Sequence, residues 1–211
     1  MFAQLKTNFK KRRGKFSRGF TLVELLVVLT LVLILSTISI NAYLPFVAKS
    51  DYQNVVLDVA LEIRKFQLFG VGSVQTAGAS DPFGVAYGVQ AKSTGGYENL
   101  IFFFKDTGGG NTYNGAANSC TSECVKMVKM DGYKVVAIKT DTGSSVNTLD
   151  VTFKRPYLDA IIYTGGAPSP GTKVVSICIQ PNNGDSSINY SKIVISRTGQ
   201  VSVQPTTSTC L

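Results

Sequence analysis

The sequence predicts an α+β protein: one long N-terminal helix, apolar in its first half, followed by an antiparallel β domain. Three observations carry this. From Leu22 to Ile40 only Glu24, Thr30, Ser36, Thr37 and Ser39 are polar, and Glu24 alone is charged. Beyond that tract, Tyr52, Val55, Val56, Val59, Ile63 and Phe66 recur at three- and four-residue steps, the period of a helix with one buried face. The remainder is a series of short runs rich in Val, Ile, Thr, Tyr and Phe, separated by turn signals.

The apolar tract fits a membrane span. Its 19 residues, at about 1.5 Å each, give roughly 28 Å of helix, enough to cross a hydrocarbon core of ~30 Å. In front of it, residues 1–19 hold Lys6, Lys10, Lys11, Arg12, Arg13, Lys15 and Arg18 and no acid. Such a basic block keeps its end in the cytoplasm, so the C-terminal bulk is expected on the far side. A secretory signal would have a shorter apolar region and a small-residue cleavage site, and none stands at a convincing position after Ile40. Hydropathy and charge leave an uncleaved signal anchor open beside a processed leader. A carboxylate in the first turns of a lipid-embedded helix costs about 3 kcal/mol on insertion scales, so Glu24 is expected to have a partner.

The junction Gly19-Phe20-Thr21-Leu22-Val23-Glu24, with base before it and an apolar tract after, resembles the type IV prepilin signal. The resemblance covers about thirty residues. It implies cleavage between Gly19 and Phe20 by a membrane prepilin peptidase on the cytoplasmic side, and N-methylation of Phe20. It also implies that Glu24 neutralises the N-terminal amine of a neighbouring subunit as helices stack, setting the axial step of a filament. The expected divisions are a leader over residues 1–19 and a transmembrane and polymerisation helix over 20–48. An amphipathic continuation over 49–72 and a β-rich head over 73–211 complete a pilin-like fold.

Charge and composition agree with that reading. The formal charge of +8 is mostly leader: without its seven basic residues, 14 Lys+Arg face 13 Asp+Glu. The basic balance therefore speaks to topology rather than to nucleic acid, which is not expected as a partner. Pro45 lacks an amide donor and is expected to disturb the helix, which should end near Gly70–Gly72. Residues 72–82 are small and polar and read as a loop. Strands are expected over 83–91, 99–105, 124–130, 133–139, 149–154, 160–163, 173–180, 188–196 and 200–204. Residues 106–119 read as a loose polar loop, and Asp131-Gly132 as a two-residue hairpin joining its flanking strands.

The C-terminal run SKIVISRTGQVSV, preceded by LDVTFKRP, resembles the sheet of GspH/FimT-type minor pseudopilins. Some of that group bind DNA through a basic C-terminal tail, whereas VSVQPTTSTCL has no Lys or Arg. The four cysteines, Cys120, Cys124, Cys178 and Cys210, admit three pairings. Cys120–Cys124 closing a small loop and Cys178–Cys210 pinning the tail is the arrangement expected, as pilins staple their C-terminal region to the sheet in this manner. Free thiols are a second reading. Metal is a third, but a C-x3-C spacing without histidine is not a usual zinc set.

No enzymatic activity is expected. The chain has no His, which removes Ser–His and Cys–His pairs and histidine acid–base work. The glycine run at Gly108-Gly109-Gly110 lacks the Gly-Lys-Ser/Thr of a phosphate loop. A calcium site around Asp106 and Asn111 would need more acids than are nearby, so no cofactor and no metal is expected. The resemblance points to a minor pseudopilin of a type II secretion pseudopilus or a type IV pilus. A structural pilin of an adhesive or twitching pilus and a DNA-uptake minor pilin are the alternatives. Expected partners are the prepilin peptidase, other pilins in a helical filament, the inner-membrane assembly platform and membrane lipid. The expected location is the cytoplasmic membrane, then a periplasmic or cell-surface filament.

Overall fold

The computed structural model describes residues 19–72, 84–183 and 190–206. It contains one helix, α1 (Leu22–Val71), and strands β1 (Ala86–Lys92), β2 (Leu100–Asp106), β3 (Cys124–Lys129), β4 (Tyr133–Thr140), β5 (Ser145–Val146), β6 (Thr148–Phe153), β7 (Ala160–Thr164), β8 (Ala167–Pro168), β9 (Val174–Pro181), β10 (Ser191–Ser196) and β11 (Val201–Pro205). The chain divides into two compact units, Met1–Tyr43 and Leu44–Leu211.

In the first unit the helix starts where its chemistry allows. Thr21 caps it: its hydroxyl accepts the Glu24 amide at 3.2 Å, and its carbonyl accepts the Leu25 amide at 3.1 Å. Thr-x-x-Glu is the spacing of a capping box. The apolar span Leu22–Ile40 is unburied along its length. Three of its four hydroxyls bond within the helix: Thr30 donates to the Val27 carbonyl at 2.8 Å, Thr37 to Leu33 at 2.8 Å and Ser39 to Leu35 at 2.9 Å. A helix that meets its own hydrogen-bonding demand in this way suits a solvent that offers none.

Among the described residues, the buried hydrophobic side chains all lie in the second unit, from Tyr52 onward, so that unit has its own core. Its part of α1 buries Tyr52, Val56, Val59, Ala60, Ile63 and Phe66, the expected period. The strands form two antiparallel sheets, one ordered β3-β2-β1-β6-β7-β8 and the other β11-β10-β9-β4-β5. One cluster joins the helix to both: Val89, Phe103, Val151 and Phe153 come from the six-stranded sheet, and Ile138, Ile177, Ile179, Ile193 and Ile195 from the five-stranded one. Phe66 lies 4.9 Å from Phe103, ring centre to ring centre. Burying such a side chain contributes about 2–3 kcal/mol by area.

Polar ties also hold this part of the helix to the sheets. The Tyr52 hydroxyl donates to the Ile179 carbonyl at 2.8 Å and accepts the Ser191 amide at 2.5 Å. Arg64 Nη2 donates to the Val201 carbonyl at 2.6 Å, and Gln67 Nε2 to the Gly199 carbonyl at 2.8 Å. Near the helix end, a Cβ at Gly70 would stand 2.2 Å from the Phe153 carbonyl oxygen. Only glycine lets the helix approach β6 this closely.

Two expectations need correction. Asp131-Gly132 does turn the chain, with Gly132 at φ 84° and the Tyr133 amide on the Met130 carbonyl at 3.2 Å. It does not make a hairpin, because β3 pairs with β2 in one sheet while β4 pairs with β9 in the other. The turn is a corner between sheets, anchored on buried Met130 and Val135. The helix itself runs through Pro45 to Val71, close to the end expected near Gly70–Gly72. The stretch 106–119 is not loose: it is folded onto the six-stranded sheet around a buried tyrosine, Tyr113. Two short strands, β5 and β8, went unforeseen because two residues carry no periodicity.

Candidate functional site

The first candidate site is the N-terminal junction. Gly19 and Phe20 precede the helix, and both are exposed. A Cβ built at Gly19 meets nothing within 4 Å, in contrast to Gly70. Phe20 is 78% exposed, so its ring packs on nothing substantial. Glu24 stands exposed in the first turn of α1, and among the described residues its carboxylate has no hydrogen-bond or ion-pair partner. Its backbone amide is the group that Thr21 caps. Residues 1–18, with the basic block, lie outside the described residues.

The second candidate site is the loop of residues 107–119 and its support. Asp106, at the end of β2, accepts three loop amides: Gly109 at 2.7 Å and Gly110 at 3.1 Å on Oδ1, and Asn111 at 2.8 Å on Oδ2. Glu123 mirrors it from the other end. Its Oε1 accepts the amides of Thr107 at 3.1 Å and Gly108 at 3.0 Å, and its Oε2 the Asn114 amide at 3.3 Å. Both carboxylates are 5% exposed. Amide hydrogens converge on them, and such donors repel a cation, so the calcium reading of Asp106 and Asn111 gains no support. These acids act as braces for a glycine-rich turn.

The Cys120–Cys124 disulfide closes the base of the same loop, with 5.0 Å between the Cα atoms. Tyr113 reaches down from its centre and stacks on Phe102, with ring centres 5.1 Å apart and planes 17° apart. Leu100, Phe102, Phe104 and Tyr113 form a second, smaller core on the sheet face away from the main one. Beside it lies Asp150, 1% exposed, whose Oδ1 accepts Gln90 Nε2 at 2.8 Å and the Tyr113 amide at 3.2 Å. Burial pushes the Asp150 carboxyl up to about 6, against the two donors and the Lys92 charge, which pull it down. Cys178, buried on β9, is disulfide-bonded, and Cys210 lies outside the described residues.

A family model described as the prokaryotic N-terminal methylation motif matches residues 14–40. This is the type IV pilin and pseudopilin signal. The matched stretch spans the end of the basic block, the Gly19–Phe20 junction, Glu24 and the whole apolar tract. Motif and apolar helix together fit a membrane-anchored, pilin-like precursor, and the head has the α+β architecture that goes with it. No curated protein and no solved structure matches the chain.

Reasoning from the sequence missed the loop cluster. A lone tyrosine among Gly, Asn and Thr, flanked by Asp106 and Glu123, was the available signal. It lacks the periodicity that marks helices and strands.

Proposed function

We propose that the chain is a prepilin-type minor pseudopilin, a structural subunit of a type II secretion pseudopilus or type IV pilus. It inserts with its basic leader inside, is cut between Gly19 and Phe20, and is methylated on the new Phe20 amine. The β-rich head then faces outward while the helices pack side by side in a filament. The observation that carries this reading is the methylation-motif match over residues 14–40. The geometry of the junction supports it: Gly19 has open space around it, so packing gives no reason for a glycine there. Recognition of the junction by the prepilin peptidase does give one.

Glu24 has a role of the same kind. Cleavage leaves a positive amine four residues before a lipid-embedded acid that has no partner among the described residues. In the filament this acid pairs with the amine of a neighbouring subunit. Glu24→Ala leaves cleavage and methylation intact and removes the subunit from filaments; normal incorporation of that variant refutes the pairing. Placement with the GspH/FimT-type minor subunits rests on the β10–β11 hairpin, where Gly199 at φ 84° makes the turn.

The deciding experiment is mass spectrometry of the intact N-terminus from membranes, with and without the prepilin peptidase. A chain starting at Phe20 with one added methyl group supports the proposal. A chain still starting at Met1 in peptidase-positive cells makes the protein a signal-anchored domain and removes the filament role.

A further inference from the structure

The outer face of the six-stranded sheet carries a buried carboxyl group, Asp150. Asp150 on β6 sits in register with Gln90 on β1, and the two are 1% and 5% exposed. The bond from Gln90 Nε2 to Asp150 Oδ1 fixes which end of the amide faces the acid. It leaves Gln90 Oε1 buried with no hydrogen-bond donor among the described residues. An unsatisfied buried acceptor is costly. A carboxylate has no hydrogen to offer it, whereas a carboxylic acid has one. An acid and a primary amide side by side satisfy each other in a ring of two hydrogen bonds, amide N–H to acid carbonyl and acid O–H to amide oxygen.

We propose that Asp150 and Gln90 form a proton-binding latch: Asp150 takes up a proton from solvent on Oδ2 and donates it to Gln90 Oε1, and the closed pair holds the loop of residues 107–119 on the sheet. The loop meets the latch directly, since the Tyr113 amide shares Asp150 Oδ1, and Thr152 and Asn111 make a second, longer contact at 3.5 Å. Ionising Asp150 leaves a buried charge and an unsatisfied amide oxygen together, and lifting the loop relieves both by admitting water.

The surrounding groups set the balance. From β1, Lys92 favours the ionised form. From β7, Tyr163 is the cross-strand partner of Asp150. From β2, Gln90 is opposed by the apolar Phe102. The loop and its ends bring the Tyr113 phenol, which makes long contacts of 3.4 Å to the Ala116 and Ser119 carbonyls, and the Asp106 and Glu123 carboxylates, already engaged by amides. Burial outweighs these, and the carboxyl is raised from its ordinary value of 3.8 to about 6. For an acid raised in the closed state, the stabilisation is fully present below about pH 4 and is lost as pH rises through 6. A displacement of roughly two pH units corresponds to about a hundredfold in the equilibrium between closed and open forms.

The test is hydrogen exchange of the full chain in detergent micelles, read at the Tyr113 amide and corrected for intrinsic rate. Protection is expected to fall on the order of thirtyfold between pH 4.5 and 8. Asp150→Asn keeps the shape of the protonated acid and supplies an N–H to Gln90 Oε1, so it is expected to be protected at both pH values with no slope. Protection that is flat or rises with pH in the native chain, or a wild-type slope in Asp150→Asn, overturns the latch. If that variant does not fold, the carboxyl-carbon titration of Asp150 in the native chain decides: a midpoint near 6 supports the latch, and one below 4.5 overturns it.

Discussion

Removing one oxygen atom from Tyr52 tests how the helix is held to the head. The hydroxyl stands between the Ile179 carbonyl and the Ser191 amide, which are register partners across β9 and β10. It does there what a bridging water would do. Tyr52→Phe keeps the ring, and with it the 5.6 Å contact to Tyr133, so the lost terms are these two hydrogen bonds. Tyr52 is fully buried, and desolvation holds its phenol above the ordinary range, so it stays protonated and donating at all ordinary pH. A buried backbone group left without its partner costs about 1–3 kcal/mol. Two such groups, free to relax partly toward each other, give an expected loss of about 2–3 kcal/mol. In a domain of this size 1 kcal/mol moves Tm by about 2–4 °C, so a fall of about 4–12 °C is expected. The assay is denaturant and thermal unfolding of residues 44–211, the unit that holds its own core, with Tyr133→Phe as the control. That control removes a hydroxyl with no hydrogen-bond partner among the described residues and should change stability by less than about 0.5 kcal/mol. A loss below about 0.5 kcal/mol for Tyr52→Phe itself would refute the bridging role.

Two further substitutions probe the same unit. Gly70→Ala places a methyl group 2.2 Å from the Phe153 carbonyl oxygen and 2.8 Å from its carbon. It should destabilise residues 44–211 by more than about 1 kcal/mol in chemical unfolding, although alanine is the better helix former by about that amount. Replacing Cys120 and Cys124 together by Ser reopens a loop whose closure stabilises by about 2 kcal/mol on chain-entropy grounds. Because Glu123 sits inside that ring and braces Thr107, Gly108 and Asn114, limited proteolysis should then cut within residues 107–119 first.

The sequence made the helix legible because burial imposes a period on it: Tyr52, Val56, Val59, Ile63 and Phe66 are spaced as one face requires. Strand positions were legible for the same reason, mostly to within one or two residues. Pairing was not. Asp131-Gly132 states that the chain turns, but which sheet receives the next strand depends on where Met130 and Val135 bury, a tertiary outcome absent from the dipeptide. The loop of residues 107–119 was illegible for a different reason. Its order comes from carboxylates accepting amides three or more residues away and from one ring on Phe102, and neither leaves a repeat in the sequence. Side-chain polarity alone marked it as loose, when the polar groups were in fact its internal structure.

The glycines separate what the fold demands from what it does not. At Gly70 and Gly88 a Cβ would collide with a backbone oxygen of β6, at 2.2 Å and 2.6 Å. Gly199 combines φ 84° with a Leu158 carbonyl 2.3 Å from the same built atom. Each of these is required by its neighbours in space. Gly19 is the contrast: it is exposed, lies outside the left-handed region and meets nothing within 4 Å. Its type is left free by the fold, and it lies one position before the exposed Phe20 and inside the matched methylation motif, where the proposed cleavage would read it. The matched motif thus stands where packing is silent, and it was legible from sequence when the loop, made wholly of packing, was not.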